Sequence, residues 1–460
     1  MPEDLQRRLR ELGVVRGVRE LATLPPCRRV AIEDLVSGRF HTTSHGQCFV
    51  AEETYPLDHL HGDLPLCSFL DLSPEIVAQV AQDEAFASVD LQRACFLDTE
   101  TTGLSGGTGT MAFVVGLGFF AEDGFCICQY FLRDPGDELA MIEALAEHLP
   151  EFEALVSFNG RAFDVPILEN RFILARVPPP TVRLPHLDLL HPARRLWQHR
   201  LSSRALGSLE REVLCVLREQ DDVPSGIIPF LYRDYLRTAD VREMKRVLYH
   251  NAVDILSLVT LAARLCRAFA DPWNEIALSG AEFYGLARWY EARGKPAETE
   301  HAYRTALRLC SLRPSSGQAG QALETDLAPD LRVKVLRGLA YLLKRADRRP
   351  EAFAYWQQLA LEAIPDTTDY VLAHIELAKY FEWYVEDLSL AAGWTRAVLA
   401  RVETWPAGAR RDLALADLRH RLARLERKMD KLQSPKRRVG GGRSRIAGSG
   451  LVPEPSSQAD

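Results

Sequence analysis

The run Ala94-Cys95-Phe96-Leu97 reads as a buried strand, and it ends on two carboxylates in Asp98-Thr99-Glu100. Alternate residues of a strand share a face, so Asp98 and Glu100 point the same way. Two like charges at the end of an apolar strand are costly unless something neutralises them. A divalent cation would do so, and hard oxygen ligands suit Mg²⁺ or Mn²⁺. The following Thr101-Thr102-Gly103-Leu104 is a turn able to offer backbone N–H groups and hydroxyls to a ligand. A lone Asp-x-Glu is common in turns, so the pair needs support from elsewhere in the chain.

Two further clusters supply it. In Phe158-Asn159-Gly160-Arg161-Ala162-Phe163-Asp164, the Asn-Gly pair closes an apolar run and marks a turn. Asp164 then opens a helix continuing through Ile167 to Leu174, where its plain structural role would be a cap. In His250-Asn251-Ala252-Val253-Asp254, within a long amphipathic helix, His250 and Asp254 are neighbours on one face. A histidine at that spacing is, taken alone, more often a satisfied polar residue than a participant in chemistry.

The surrounding pattern sets the fold class. Strand-like runs Ala94–Leu97, Met111–Phe120 and Phe125–Leu132 precede a helical stretch, Glu138–His148, and a further strand at Ala154–Phe158. Such alternation over residues 91–270 predicts an α/β domain with a mixed, partly antiparallel sheet. Residues 1–90, a mixture of helix-like stretches and Pro- and His-bearing irregular pieces, read as an extension packing on that domain. Residues 271–405 are helical and repetitive. Leu286-Ala287, Leu339-Ala340 and Leu377-Ala378 open similar frames, with Tyr303, Trp356 and Trp394 following at about sixteen positions. The frames resemble the tetratricopeptide repeat of about 34 residues, although they start 53 and 38 residues apart. Residues 406–460 read as a basic helix, Arg410–Leu432, and a Gly/Ser/Pro-rich disordered tail.

Composition excludes several classes. Hydrophobic residues are 47% of the 460 and charged residues 26%, an ordinary globular balance. The formal charge is −7, so any nucleic-acid contact must come from local patches. Such patches exist: Arg401–Arg445 holds 14 basic and 5 acidic residues, and Arg161–Arg211 holds nine arginines against four carboxylates. Each can equally be a solvated helix face. Nine cysteines without a Cys-x-x-Cys pair argue against structural zinc or a disulfide framework. No run nears the ~18 apolar residues of a membrane helix, and Met1–Glu20 carries charges throughout. The expectation is a cytoplasmic protein with no membrane association.

Taken together, strand D-x-E, then N-G-x-x-x-D, then H-x-x-x-D resemble, in order, the motifs of the DEDD exonuclease superfamily, whose fold is ribonuclease H-like. The chain is closer still to the bacterial YprB-type subgroup in the Gly-Gly-Thr-Gly up to Gly109, His186-Leu187-Asp188-Leu189-Leu190 and Asp222-Val223-Pro224-Ser225-Gly226. That subgroup often carries helical repeats behind its nuclease domain. The resemblance implies a 3′-to-5′ exonuclease acting on DNA or RNA, releasing nucleoside 5′-monophosphates. It implies that Asp98, Glu100, Asp164 and Asp254 hold two divalent ions, Mg²⁺ or Mn²⁺. Thr99, Thr101, Thr102 and Leu104 would contact the terminal nucleotide, and Asn159 its sugar or phosphate. The family's base precedes the last Asp by five positions when it is His and by four when it is Tyr. Here Tyr249 is at five and His250 at four, and His250 is the candidate for activating water because helical stacking sets it beside Asp254. Asp188 ranks below the four ligands as a supporting acid. Expected partners are a nucleic-acid single strand or 3′ end, and a protein bound through the repeats. The competing class is a ribonuclease H-like scaffold with little or no turnover, and a structure-selective endonuclease is a third reading.

Overall fold

The computed structural model describes residues 30–103, 109–218, 222–273, 278–311 and 329–433. The chain divides into two units, Met1–Leu327 and Ala328–Asp460. In the first, strands β1 (Gly38–Thr43), β2 (Gly46–Tyr55), β3 (Leu60–His61), β4 (Leu64–Pro65), β5 (Ala94–Thr101), β6 (Ala112–Ala121), β7 (Gly124–Phe131), β8 (Ala154–Ser157) and β9 (His186–Asp188) occur in that order. Helices α1 (Pro74–Ala81), α2 (Glu138–His148), α3 (Asp164–Leu174), α4 (Leu190–Trp197), α5 (Leu206–Leu209), α6 (Ile228–Thr238), α7 (Arg242–Ala270), α8 (Gly280–Ala292) and α9 (Pro296–Ser311) complete this unit.

Seven strands form one sheet in the order β1-β2-β7-β6-β5-β8-β9. The β5–β6–β7 meander is antiparallel, whereas β8 and β9 run parallel to β5. This is the mixed, partly antiparallel sheet expected from the alternation of strand and helix patterns. Strand β5 lies centrally, and all its residues but Asp98 are buried. Its polar end therefore opens at a cleft instead of at a sheet edge.

Residues 38–55 differ from the irregular reading of the amino-terminal region. They form a hairpin whose second strand pairs antiparallel with β7, from Phe49↔Phe131 to Tyr55↔Phe125, and so widens the sheet by two strands. The charges of Glu52 and Glu53 hide the strand pattern, but Phe49, Val50 and Ala51 are buried against the core. Cys215, although its sequence neighbours Leu214 and Val216 are apolar, sits exposed in a left-handed turn at φ 59°.

Helix α7 is more than amphipathic: 20 of its 29 residues are buried. It packs on β5 and β6 as well as on α1 and the 3-10 turn Leu66–Phe69. Its close approach depends on two glycines of β6. A Cβ on Gly116 would lie 2.2 Å from Asn251 Oδ1, and one on Gly118 would lie 2.4 Å from Ile255 Cγ2. Asp98 pairs with Gly116 in register, so the same glycine sets the distance between the carboxylate strand and α7.

The α8–α9 hairpin also belongs to the first unit. Gly285 of α8 packs on α4, where a Cβ would come 2.5 Å from the Arg195 carbonyl. Trp197 Nε1 and Arg200 Nη1 both donate to the buried Glu282, at 2.7 and 2.9 Å. Among the described residues the second unit holds α10 (Pro329–Arg345), α11 (Arg349–Glu362), α12 (Thr368–Tyr380), α13 (Leu388–Glu403) and α14 (Ala409–Gln433). Arg332 at the start of α10 pairs with Glu362 at the end of α11, the mark of an antiparallel hairpin. Trp356 is buried and Trp394 half-buried. Among the described residues no helix is long and apolar enough to cross a membrane.

Gly116→Ala should cost about 1–3 kcal/mol of stability through overpacking against Asn251 and Ile255. Urea unfolding measures this; a change within error would mean that α7 yields freely.

Candidate metal centre

Asp98 and Glu100 project from one face of β5 toward α7, and a register shift between Glu100 and Thr101 makes the pairing with β6 irregular just beyond them. Asp164 arrives from α3, past the end of the strand. Its position is set by the turn before it, where Asn159 adopts φ 65° and Gly160 leaves no room for a Cβ against Ser157. Asp188 holds that turn. Its carboxylate accepts the backbone N–H groups of Asn159 (2.8 Å), Arg161 (3.2 Å) and Leu190 (3.1 Å). It therefore supports the site through the backbone and does not line the cleft.

From α7 come His250 and Asp254, one turn apart. His250 Nε2 lies 3.6 Å from Asp254 Oδ2 and 3.9 Å from Glu100 Oε1. Glu100, His250 and Asp254 form a group whose ligand atoms all lie within 4.8 Å of one another. Asp98, Thr99, Glu100, Asn159, Asp164, His250 and Asp254 line one cleft of about 190 Å³. All four acids named from the sequence thus meet in one place, with His250 among them. Tyr249 is not among the residues that line this cleft.

The threonines are engaged within the protein. Thr99 donates its hydroxyl to Asp164. Thr101 Oγ1 donates to the Gly103 carbonyl at 2.8 Å, and Thr102 Oγ1 accepts the Met111 N–H at 3.0 Å, so these two tie down the base of the following loop. Thr101 lines the cleft with Thr99, but Thr102 does not. Leu104 lies outside the described residues.

Several residues at the site had no role assigned from sequence. Asn251, fully buried, donates to Asp98 Oδ2 at 2.7 Å while its Oδ1 accepts from Gln129 at 2.8 Å. It sits three residues before Asp254, so helical spacing could have pointed to it. Asp222 Oδ1 lies 2.7 Å from His250 Nδ1, and Ser225 Oγ lies 3.2 Å from Nε2. Arg218 ion-pairs with Asp254 and, through two nitrogens, with the buried Glu210 at 2.6 and 2.7 Å. Its Nη1 is 2.9 Å from His250 Nδ1. Nothing in the sequence around Glu210, which lies in a π-helical turn, announces this pairing.

The family profile of the RNase H superfamily matches residues 95–266, the segment that carries β5 to α7. Over 342 residues the chain is 32% identical to the uncharacterized protein YprB of Bacillus subtilis (strain 168), covering 73% of this chain and 76% of that protein. The chain belongs to the RNase H superfamily. Its ribonuclease H-like mixed sheet is followed by a carboxy-terminal helical region.

The electrostatics of the cleft suit a metal ion. Burial raises the Asp98 carboxyl well above its ordinary range, and repulsion from Asp254, Asp164 and Glu100 adds to it. Glu100 is raised in the same way, by burial and by Asp254 and Asp164. Burial also raises Asp254, although His250 and Arg218 oppose the shift. Asp164 is pushed up to about 6 by burial, against the hydrogen bond from Thr99. Burial works against the charge of Arg218, but Glu210 and Asp254 outweigh it and raise its pKa. A single guanidinium partnered mainly to Glu210 leaves the other carboxylates short of positive charge. Four carboxylates with an imidazole beside them are a donor set able to hold a divalent cation, so the residues fit such an ion.

A carboxyl raised in the folded state costs stability above its folded pKa, and this cost vanishes below the unfolded value of 3.8. Asp164→Asn should therefore stabilise the metal-free protein at pH 7.5 by about 1–3 kcal/mol. The gain should shrink toward zero as pH falls through 6 to 4. Thermal unfolding in chelator checks it, and a pH-independent difference would refute the charge account. With Mn²⁺ added, the order should reverse, because the wild type binds the ion better.

Proposed function

We propose that the first unit is a metal-dependent nuclease, a 3′-to-5′ exonuclease hydrolysing phosphodiester bonds of DNA or RNA. The observation that supports this most is the convergence of Asp98, Glu100, Asp164 and Asp254, from three separate elements, in one cleft beside His250. These four carboxylates would hold two ions, Mg²⁺ or Mn²⁺. Bound there, the ions supply a lowered pKa for water and charge on the attacking and leaving oxygens of an in-line displacement.

In this reading His250 is the catalytic base. Asp222, only an acceptor and 2.7 Å away, draws a proton to Nδ1, and the Arg218 guanidinium, only a donor, competes for that nitrogen from 2.9 Å. Nε2 then keeps its lone pair toward Glu100 and Asp254, where a water would be deprotonated and oriented. Asn251 positions Asp98, and Thr99 positions Asp164. Thr99, Thr101 and Asn159 line the cleft where the terminal nucleotide would sit, and Thr102 and Leu104 would contact that nucleotide as well. The helical repeats would carry a protein partner.

The Arg218–Asp254 ion pair favours a second reading, a nucleic-acid or protein-binding scaffold with slow turnover. A carboxylate already neutralised by arginine holds a metal less tightly.

Single strands labelled at the 5′ or 3′ end, as DNA and as RNA, separate these readings. With Mn²⁺ or Mg²⁺, a ladder shortening from the 3′ end is expected, absent with chelator and in Asp98→Ala. Internal cuts would point to an endonuclease. Retained binding without product under either metal would favour the scaffold. His250→Ala should lower kcat about 10²–10⁴-fold with strand affinity little changed; equal turnover would remove His250 from the base role.

A further inference from the structure

The second unit carries a feature that the cleft chemistry leaves unused. Helix α12 ends in a π-helical turn, Phe381–Val385, which closes in a left-handed residue, Glu386 at φ 62°. Single π turns recur at functional sites because they push side chains out of helical register. Here Trp383 and Tyr384 are 57% and 50% exposed, an unusual position for two adjacent large aromatics. They border a cavity of about 250 Å³ with Lys344, Lys379, Tyr380 and Trp356.

The rings are ordered as a ladder. Phe353 stacks on Tyr380 with centroids 4.4 Å apart and planes 27° from parallel, and Tyr380 meets Tyr384 at 5.0 Å and 30°. The ladder thus ends on a half-exposed ring. Beside it, Trp383 has Lys428 Nζ over its face at 3.9 Å.

Charge on this surface is unbalanced toward the positive. Lys344 and Lys379 share one buried carboxylate, Glu376, and Arg421, Arg424 and Lys428 share another, Glu382. Of the next acids along the chain, Glu386 is exposed, and Asp387 caps a helix, accepting the Leu390 N–H at 2.9 Å. Arg421, Arg424 and Lys428 belong to the basic segment 401–445.

We infer that this face of the second unit binds single-stranded nucleic acid, a base stacking on Tyr384 while the lysines and arginines track phosphate. Exposed aromatic rings beside an excess of basic side chains are the composition of such surfaces, and stacking accepts any base. An acidic peptide would satisfy the lysines but would leave the end of the ring ladder unused. The choice of polymer rests on the nuclease reading of the first unit. The site would hold the strand independently of the carboxylate cleft.

The test uses the full chain in excess chelator, so that binding is read without turnover. Fluorescence anisotropy compares an oligothymidylate with an abasic strand of equal length. The wild type should prefer the strand that has bases. Tyr384→Ala should weaken its binding by about five- to a hundredfold and abolish the preference, while Tyr384→Phe keeps both. Lys379→Gln should lower the salt dependence by about 0.7 in log–log slope. Thermal melts of each variant verify folding. Unchanged affinity in folded Tyr384→Ala overturns the proposal, as does equal competition by polyglutamate, which would make this a docking site for an acidic protein. Loss of binding in Tyr384→Ala without metal-dependent product from the wild type would sink the nuclease reading and keep this one.

Discussion

Four carboxylates gathered in one buried cleft repel each other, and much of the first unit is organised around that repulsion. Each acid has its own neighbour. Asn251 donates to Asp98, Thr99 to Asp164, and Arg218 to Asp254, while His250 stands between Glu100 and Asp254. These contacts lower the cost of the cluster without cancelling it, since all four carboxyls remain raised. Protein stability is a small difference between large terms, so a retained cost of this kind signals a task other than stability. Residual negative charge in a cleft is what a hard cation needs.

The cluster exists only because α7 lies very close to the sheet. Gly116 and Gly118 remove the side chains that would hold it away, and Asn251 occupies the space so made. Gln129 on β7 then fixes Asn251 from behind, also donating to the Leu248 carbonyl at 2.7 Å. The packing of helix on sheet and the orientation of Asp98 are therefore one structural device. A second chain of contacts runs from His61 through Ser257 to Glu210, and from there to Arg218. It links the small β3–β4 ribbon of the amino-terminal region to the edge of the cleft, which gives that region a part in positioning the site.

The second unit shows how helical hairpins combine a scaffold with a chemical surface. Its small residues, Ala340, Ala352, Ala378 and Ala392, are buried where helices meet. The aromatic side chains that do not fit between helices emerge at the π-helical turn instead, beside basic residues anchored on two buried glutamates. Those glutamates hold long, flexible cations in place, which would reduce the entropy lost on engaging the proposed strand.

Much of this was legible from residue order. The D-x-E strand, the Asn-Gly turn before Asp164 and the i, i+4 spacing of His250 and Asp254 depend on local periodicity, which a sequence displays directly. Periodicity likewise placed β5 to β7, α2 and α3. It missed the β1–β2 hairpin, where Glu52 and Glu53 break the apolar alternation and pairing with β7 supplies the stabilisation. It could not assign Arg218, Glu210 or Asp222, because each acts across a contact distant in sequence. Local order determined which groups point the same way along one element. Tertiary packing decided which elements approach, and therefore which charges must be neutralised by which neighbour, because electrostatic cost is set by distance and burial in the folded chain.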